Sequence, residues 1–197
     1  MRPEISHGPP RAKVESLTHP LDEFYALVGL PLPPLQRVDG QSLPQPYRRL
    51  LVHRNDMTPT LEAFYGEGLR LEVLRRRRRQ GEYLREVVLR LEDSGRPVEF
   101  GANRIRLDYF PPDARRAILE EREPLGHIMR DSAVKHTCQP NAFLRLASDR
   151  TINEALRLTG AHVLYGRHNC LFDPQGNLIS EVVEILRPAA RTAGPAT

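Results

Sequence analysis

The sequence has only two cysteines, Cys138 and Cys170, no tryptophan, and no apolar run that approaches membrane-spanning length. Two cysteines cannot make a disulfide framework, and no bridge between them is expected in a reducing compartment. The missing apolar run excludes a transmembrane helix. Residues 1–10 lack the apolar centre of a signal peptide, so the chain is expected to stay in the cytoplasm. Internal repeats are absent as well. Excess positive charge is slight: the net charge is +4. It comes largely from arginine, five of them consecutive at positions 75–79. No aromatic side chains are interleaved with that run to stack bases, so it reads as a solvated strand end and turn, not a nucleic-acid surface. What is present, 40% hydrophobic and 27% charged residues over 197 positions, suits one domain with a real core.

Proline and polar residues dominate positions 1–18, which read as a disordered tail. Positions 19–188 carry the folding pattern, and positions 189–197 read as a second loose tail. Leu21, Phe24, Tyr25, Leu27 and Val28 recur at helical spacing, and Gly29 closes that helix. Proline-dense residues 31–46 predict an extended connector. Residues 47–53 fit a short helix or a strand. Thr58 followed by Pro59 reads as a helix cap and first turn, with Leu61, Phe64 and Tyr65 as the apolar stripe and Gly66 as the stop. Residues 69–73, 83–91 and 98–109 alternate as strands joined by short turns, an antiparallel meander. A helix follows from Pro111 to about residue 123, then a tight turn at Pro124-Leu125-Gly126 into an apolar segment. Residues 142–146 predict a strand, and Ser148 or Asp149 caps a helix ending near Gly160. Strands at 162–172 and 178–186 flank hairpin-turn chemistry at Asp173-Pro174-Gln175-Gly176-Asn177. Strands in antiparallel groups, without strand–helix–strand alternation, define an α+β single domain: a mainly antiparallel sheet flanked by helices.

One strand stands out. Alternation over residues 83–91 puts Arg85, Val87, Leu89 and Leu91 on one face and Glu86, Val88, Arg90 and Glu92 on the other. The second face reads as solvated. The first reads as core with an arginine in it, and a buried guanidinium requires an anion unless it snorkels to water. Arg104 and Arg106 read as a solvated face, while Asn103 shares the face of Ile105. On the last strand Glu184 and Glu181 point to opposite sides, and periodicity alone does not choose between them. Two His-x-Cys pairs, His136/Cys138 and His168/Cys170, place four potential metal ligands in strands. Their spacing is narrower than usual for zinc, and Pro140 puts the first pair on a loop. Buried cysteines and surface histidines account for them, so no metal is expected.

Taken in order, several short motifs resemble one family. They are Asp56-Met57-Thr58 leading into a helix, Leu84-Arg85-Glu86-Val87, Pro124-Leu125-Gly126 after a helix, Tyr165-Gly166-Arg167-His168, and Glu184-Ile185-Leu186-Arg187-Pro188 on the last strand. Over residues 46–188 the chain is similar to chorismate pyruvate-lyases, which release pyruvate from chorismate to give 4-hydroxybenzoate. The resemblance implies an antiparallel sheet with flanking helices, a fold shared with the UTRA effector-binding domains of bacterial regulators. It also implies roles: Arg85 for the product carboxylate, Glu184 for the ring hydroxyl, and the turn at Leu125 and Gly126 completing the pocket. Arg167 and Asn103 become further substrate contacts, and Glu184 is favoured over Glu181. The family often has tryptophans where this chain has Tyr83 and Tyr165, which leaves the pocket shape different.

These residue types suit the chemistry. An arginine recognises a planar carboxylate with two hydrogen bonds. A glutamate near the leaving ether oxygen can serve as general acid while the ring loses a proton and becomes aromatic. Binding a reactive conformer in a closed pocket supplies much of the rest, so no cofactor is implied. The expected partner is a small anionic aromatic or enolpyruvyl acid. Two other readings stand beside the lyase: a non-catalytic module of the same fold that binds a small acid, and an interaction protein whose arginine run meets an acidic partner. The first 20 residues are proline-rich and show no helix-turn-helix pattern, which argues against transcriptional control.

Overall fold

In the computed structural model, residues 16–189 are described. The tails expected at 1–18 and 189–197 therefore lie almost wholly outside the described residues. Within them, seven strands form one antiparallel sheet: β1 (Leu35–Val38), β2 (Leu69–Arg79), β3 (Glu82–Leu91), β4 (Pro97–Arg106), β5 (Thr137–Ala147), β6 (Val163–Phe172) and β7 (Leu178–Leu186). Their order across the sheet is β1-β5-β6-β7-β4-β3-β2. The meander β2-β3-β4 and the group β5-β6-β7 join where β7 pairs with β4. Six helices accompany it: α1 (Leu21–Leu27), α2 (Tyr47–Leu51), α3 (Met57–Tyr65), α4 (Pro112–Glu120), α5 (Leu125–Asp131) and α6 (Arg150–Leu156). The α+β single-sheet class is the one expected.

Both faces of the sheet are covered. Leu21, Phe24 and Tyr25 of α1 and Ile152 and Leu156 of α6 pack on Leu84, Val88, Phe100, Ala102, Val183 and Ile185. On the opposite face, Ala114 and Ile118 of α4 and Ile128 and Met129 of α5 cover Ile105, Leu171 and Val182. Beside them Leu50 and Leu51 of α2 and Met57 and Leu61 of α3 cover Leu69, Leu89, Leu91 and Leu186. Each such side chain fully withdrawn from water contributes about 1.5–3 kcal/mol.

This double cover overturns two expectations. The Glu86, Val88 and Arg90 face of β3 is buried, not solvated. Its charges are neutralised across strands, Glu86 by Arg75 and Arg90 by Glu72. Arg104 is likewise buried and pairs with Glu181. The arginine run is a strand end, as expected: all five residues belong to β2, an edge strand with a bulge between Val73 and Arg75, and the turn follows at residues 80–81. Arg76 bonds Glu121 at the end of α4, and Arg77 and Arg79 bond Glu23 of α1. The run thus straps two helices to the sheet edge.

Other differences trace to proline. The connector at 31–46 contains β1, which pairs with residues 143–146 of β5. The turn at Pro124 opens α5, with Pro124 itself as the N-cap. Pro140 lies inside β5, at a bulge and beyond the residues that β1 pairs with, a position where a strand tolerates proline. Residues 47–51 settle as helix. Asp149 is the cap of α6, accepting from the Ile152 amide at 2.8 Å. Asp56, not Thr58, is the N-cap of α3, and its side chain makes no capping bond.

Two glycines hold β7 close to its neighbours. A Cβ on Gly101 of β4 would stand 2.2 Å from the Val183 carbonyl oxygen, and one on Gly166 of β6 would stand 2.3 Å from that of Glu184. Any side chain there pushes β7 away just where it carries Glu184. Gly101→Ala is expected to destabilise the fold by about 1–3 kcal/mol, the usual range for overpacking. Urea unfolding of the variant beside the parent checks this.

Candidate functional site

Alternation on β3, β4, β6 and β7 gathers polar side chains on the face beneath α3 and α5. Arg85, Val87 and Leu89 come from β3, Glu99 and Asn103 from β4, Asn169 and Leu171 from β6, and Val182 and Glu184 from β7. The roof is the start of α3 (Asp56, Met57, Thr58) and of α5 (Pro124, Leu125, Gly126). The two helices cross where Gly126 meets Thr58; a Cβ on Gly126 would stand 2.8 Å from Thr58 Oγ1. Between floor and roof is a cavity of about 50 Å³.

Arg85 is 1% exposed, and its Nε and Nη1 have no hydrogen-bond partner. Burial lowers its pKa to about 10, with Tyr83 and Glu121 acting in the opposite direction. It therefore remains a cation at neutral pH. Glu121 does not reach it, because its carboxylate takes the Tyr83 hydroxyl and Arg76. Glu184 does not neutralise it either. That carboxylate accepts from Arg167 Nε. Leaving a buried donor unsatisfied costs about 1–3 kcal/mol, and more for a charged group.

Other polar atoms without partners line the same space: Glu99 Oε2, Asn103 Oδ1 and Asn169 Oδ1. Burial, and then the neighbouring Glu184, hold Glu99 well above the usual carboxylate range. Glu184 is also raised by burial, opposed by Arg167. Two carboxyls this close do not both ionise readily. Arg167 favours charge on Glu184, which leaves Glu99 the more readily protonated of the two.

Arg167 does not line the cavity. It stands behind Glu184 and donates to the carbonyls of Leu51, His53 and Asn55, each at 3.2 Å. Its anion here is Glu184. Of the two glutamates on β7, Glu184 faces the cavity. Glu181 lies on the opposite face with His168 and Cys170. There burial lowers the His168 pKa to about 4 and pushes the Cys170 thiol up to about 12. The two His-x-Cys pairs consequently fall on opposite faces and do not converge. His136 and Cys138 instead meet Asp56. The Asp56 hydrogen bond is the main cause that raises the His136 pKa to about 10.

Glu99 and Asn169 were not singled out from the sequence. Glu99 carries a usable signal: Glu99, Gly101, Asn103 and Ile105 share one face by alternation, the face already marked by Asn103. Asn169 carries none beyond its position two residues after Arg167.

Fold and cavity together define an α+β domain with one antiparallel sheet and a buried polar pocket beneath two helix starts. No family model and no curated protein matches the sequence. Among solved structures, PhnF from Mycobacterium smegmatis is similar over 73% of this chain and 71% of its own, with TM-score 0.51 and 11% identity. The effector domain of PhnF from the same organism matches over 67% of this chain and 88% of its own, with TM-score 0.51 and 11% identity. A GntR-family transcriptional regulator from Bacillus cereus is a looser match, with TM-score 0.44, 10% identity and coverage of 66% and 96%. At such identities the likeness is one of fold, the UTRA-like architecture. No helix among the described residues is long and apolar enough to cross a membrane.

The raised pKa of Glu99 has a stability consequence with a definite sign. The native state keeps a proton that the unfolded chain releases above about pH 4.3. The stability this gives is full below that pH and is lost as pH rises through the native pKa. Glu99→Gln mimics the protonated form and escapes the loss. Its urea midpoint should gain on that of the parent as pH rises above about 4.3; parallel midpoints would contradict a raised Glu99 pKa.

Proposed function

We propose that this domain binds a small organic acid whose carboxylate is held by Arg85. The observation that carries this is a fully buried cation with two N–H groups unpartnered, facing a cavity that contains no other cation side chain. A carboxylate would satisfy both its charge and its donors. Asn103, the cross-strand neighbour of Arg85, together with Glu99 and Asn169 supplies polar groups for a hydroxyl or carbonyl of the ligand. The fold supports the same reading, since one of the matched structures is an effector domain. A cavity near 150 Å³ takes benzene, whereas this one is about 50 Å³. A ring-bearing acid therefore binds only after the roof formed by α3 and α5 lifts. The arginine run offers little to an acidic partner, because Glu23, Glu86 and Glu121 already engage it.

A second reading, elimination of pyruvate from chorismate, is favoured by one specific arrangement. Arg85, Leu125 and Glu184 border a single cavity, as the sequence resemblance implies. In that reaction Arg85 would hold the ring carboxylate. Protonated Glu99 would deliver its proton to the ether oxygen as the carbon–oxygen bond breaks. Ionised Glu184 would sit near the ring carbon that loses its hydrogen as the ring becomes aromatic.

One set of measurements separates the readings. Chorismate is incubated with the protein while pyruvate and 4-hydroxybenzoate are followed, and 4-hydroxybenzoate binding is measured by calorimetry. Turnover establishes the lyase; binding without turnover establishes the module. Arg85→Met should weaken acid binding about 30-fold or more, the loss expected from removing one partner of a buried charge pair. The same variant should unfold at higher urea, by about 1–3 kcal/mol in the ligand-free state, because the unsatisfied donors are gone. Undiminished acid binding by Arg85→Met would refute the anchor.

A further inference from the structure

We infer that Asp56, His136 and Cys138 form a binding site for a divalent transition-metal ion, with zinc the best fit to the donors. This site shares Asp56 with the cavity roof but does not depend on the acid-binding reading.

Three donors of different chemistry converge from two distant segments. Asp56 Oδ1 lies 2.9 Å from His136 Nε2 and 3.2 Å from Cys138 Sγ. The ligand atoms all lie within 4.8 Å of one another. Zinc bonds of about 2.0 Å to nitrogen and oxygen and 2.3 Å to sulfur put tetrahedral ligand atoms about 3.3–3.6 Å apart. The two contacts of Asp56 thus need to open by only a few tenths of an ångström. A carboxylate, an imidazole and a thiolate together favour zinc over magnesium or calcium, which take oxygen ligands.

Two local features agree with coordination. His136 Nδ1 lies 2.9 Å from the Val134 carbonyl oxygen. A proton on Nδ1 donates there, and Nε2 faces the cluster, the outer-shell arrangement that orients metal-bound histidines. Asp56 occupies the N-cap position of α3 yet makes no capping bond. Its oxygen is turned instead to His136 and Cys138, at the cost of the contact its residue type usually makes there.

The cluster opens to solvent at Asp56 and His136, while Cys138 is buried. The cluster lines a groove of about 510 Å³ with Arg54, Asn55 and Gln139. The His136 and Asp56 side chains are 15% and 25% exposed. Three protein ligands with an open fourth position would leave room for water or a small ligand. On binding, the ion displaces the thiol proton of Cys138 and the imidazolium proton of His136 into solvent. The other cluster, His168, Cys170 and Glu181, is a poorer host. It is fully buried, and the guanidinium of Arg104 already pairs with Glu181.

Cobalt(II) is the probe. The full chain, freed of metal by chelator, is titrated with Co²⁺ and then with Zn²⁺. One equivalent of Co²⁺ should give a thiolate-to-cobalt charge-transfer band in the near ultraviolet, which Zn²⁺ then removes. Cys138→Ser should abolish the band and weaken Zn²⁺ binding more than about a hundredfold, beyond what loss of an outer-shell partner costs. Cys170→Ser should leave both unchanged. The partly exposed His136→Asn provides a second variant and should also weaken binding. Absence of a thiolate band in the parent, its persistence in Cys138→Ser, its loss in Cys170→Ser, or unchanged affinity in His136→Asn would each overturn the site.

Discussion

The guanidinium of Arg167 ties three separate parts of the chain together. It stands on β6, bonds Glu184 on β7, and donates to carbonyls at Leu51, His53 and Asn55 between α2 and α3. Those carbonyls sit at a helix C-terminus and in the following loop, where backbone acceptors have few intrahelical donors. By fixing this segment the guanidinium also fixes the start of α3, and with it one half of the cavity roof. It sets the charge state on the floor too. The cation bonded to Glu184 favours its charged form, and Glu99 beside it is the more readily protonated. A single buried side chain thus positions the roof and decides which of two carboxyls can donate.

The result is a cavity whose lining carries unlike polar groups. Arg85 presents positive charge without a protein counter-ion, Asn103 stands across from it on the next strand, and Glu99 and Asn169 present further polar atoms. Such an arrangement is destabilising in itself, and structures retain such sites where a ligand removes the cost. A domain on which Arg85 served only as structure would pair it with a carboxylate, as it does with Arg75, Arg90, Arg104 and Arg167.

The strands were largely legible in the sequence because alternation is a local signal. Arg85 was legible for the same reason, as a charge on an apolar face. Solvation was not. Glu86, Arg90 and Arg104 alternate with apolar residues as a solvated face would, yet lie beneath α1 and α6. Their charges are met by Arg75, Glu72 and Glu181 on neighbouring strands or further along the chain, which no local window reveals. The helix α5 and the strand β1 were obscured by prolines that mark their boundaries. Glu184 could be chosen over Glu181 only by the resemblance, since both sides of β7 are buried. Cys138 and His136 were visible as a pair, but their third partner, Asp56, is 80 residues away in sequence.

The arginine-lined strand β2 has one more consequence. It is one outer edge of the sheet, and an uncovered edge invites pairing with a strand from another molecule. A second β2 laid alongside would bring two ladders of guanidinium groups face to face, and the bulge at Val73–Arg75 would spoil its register. At the far side β1 is only four residues long and is preceded by Pro33 and Pro34. The sheet is closed to growth at both margins, by repulsion at one and by brevity at the other.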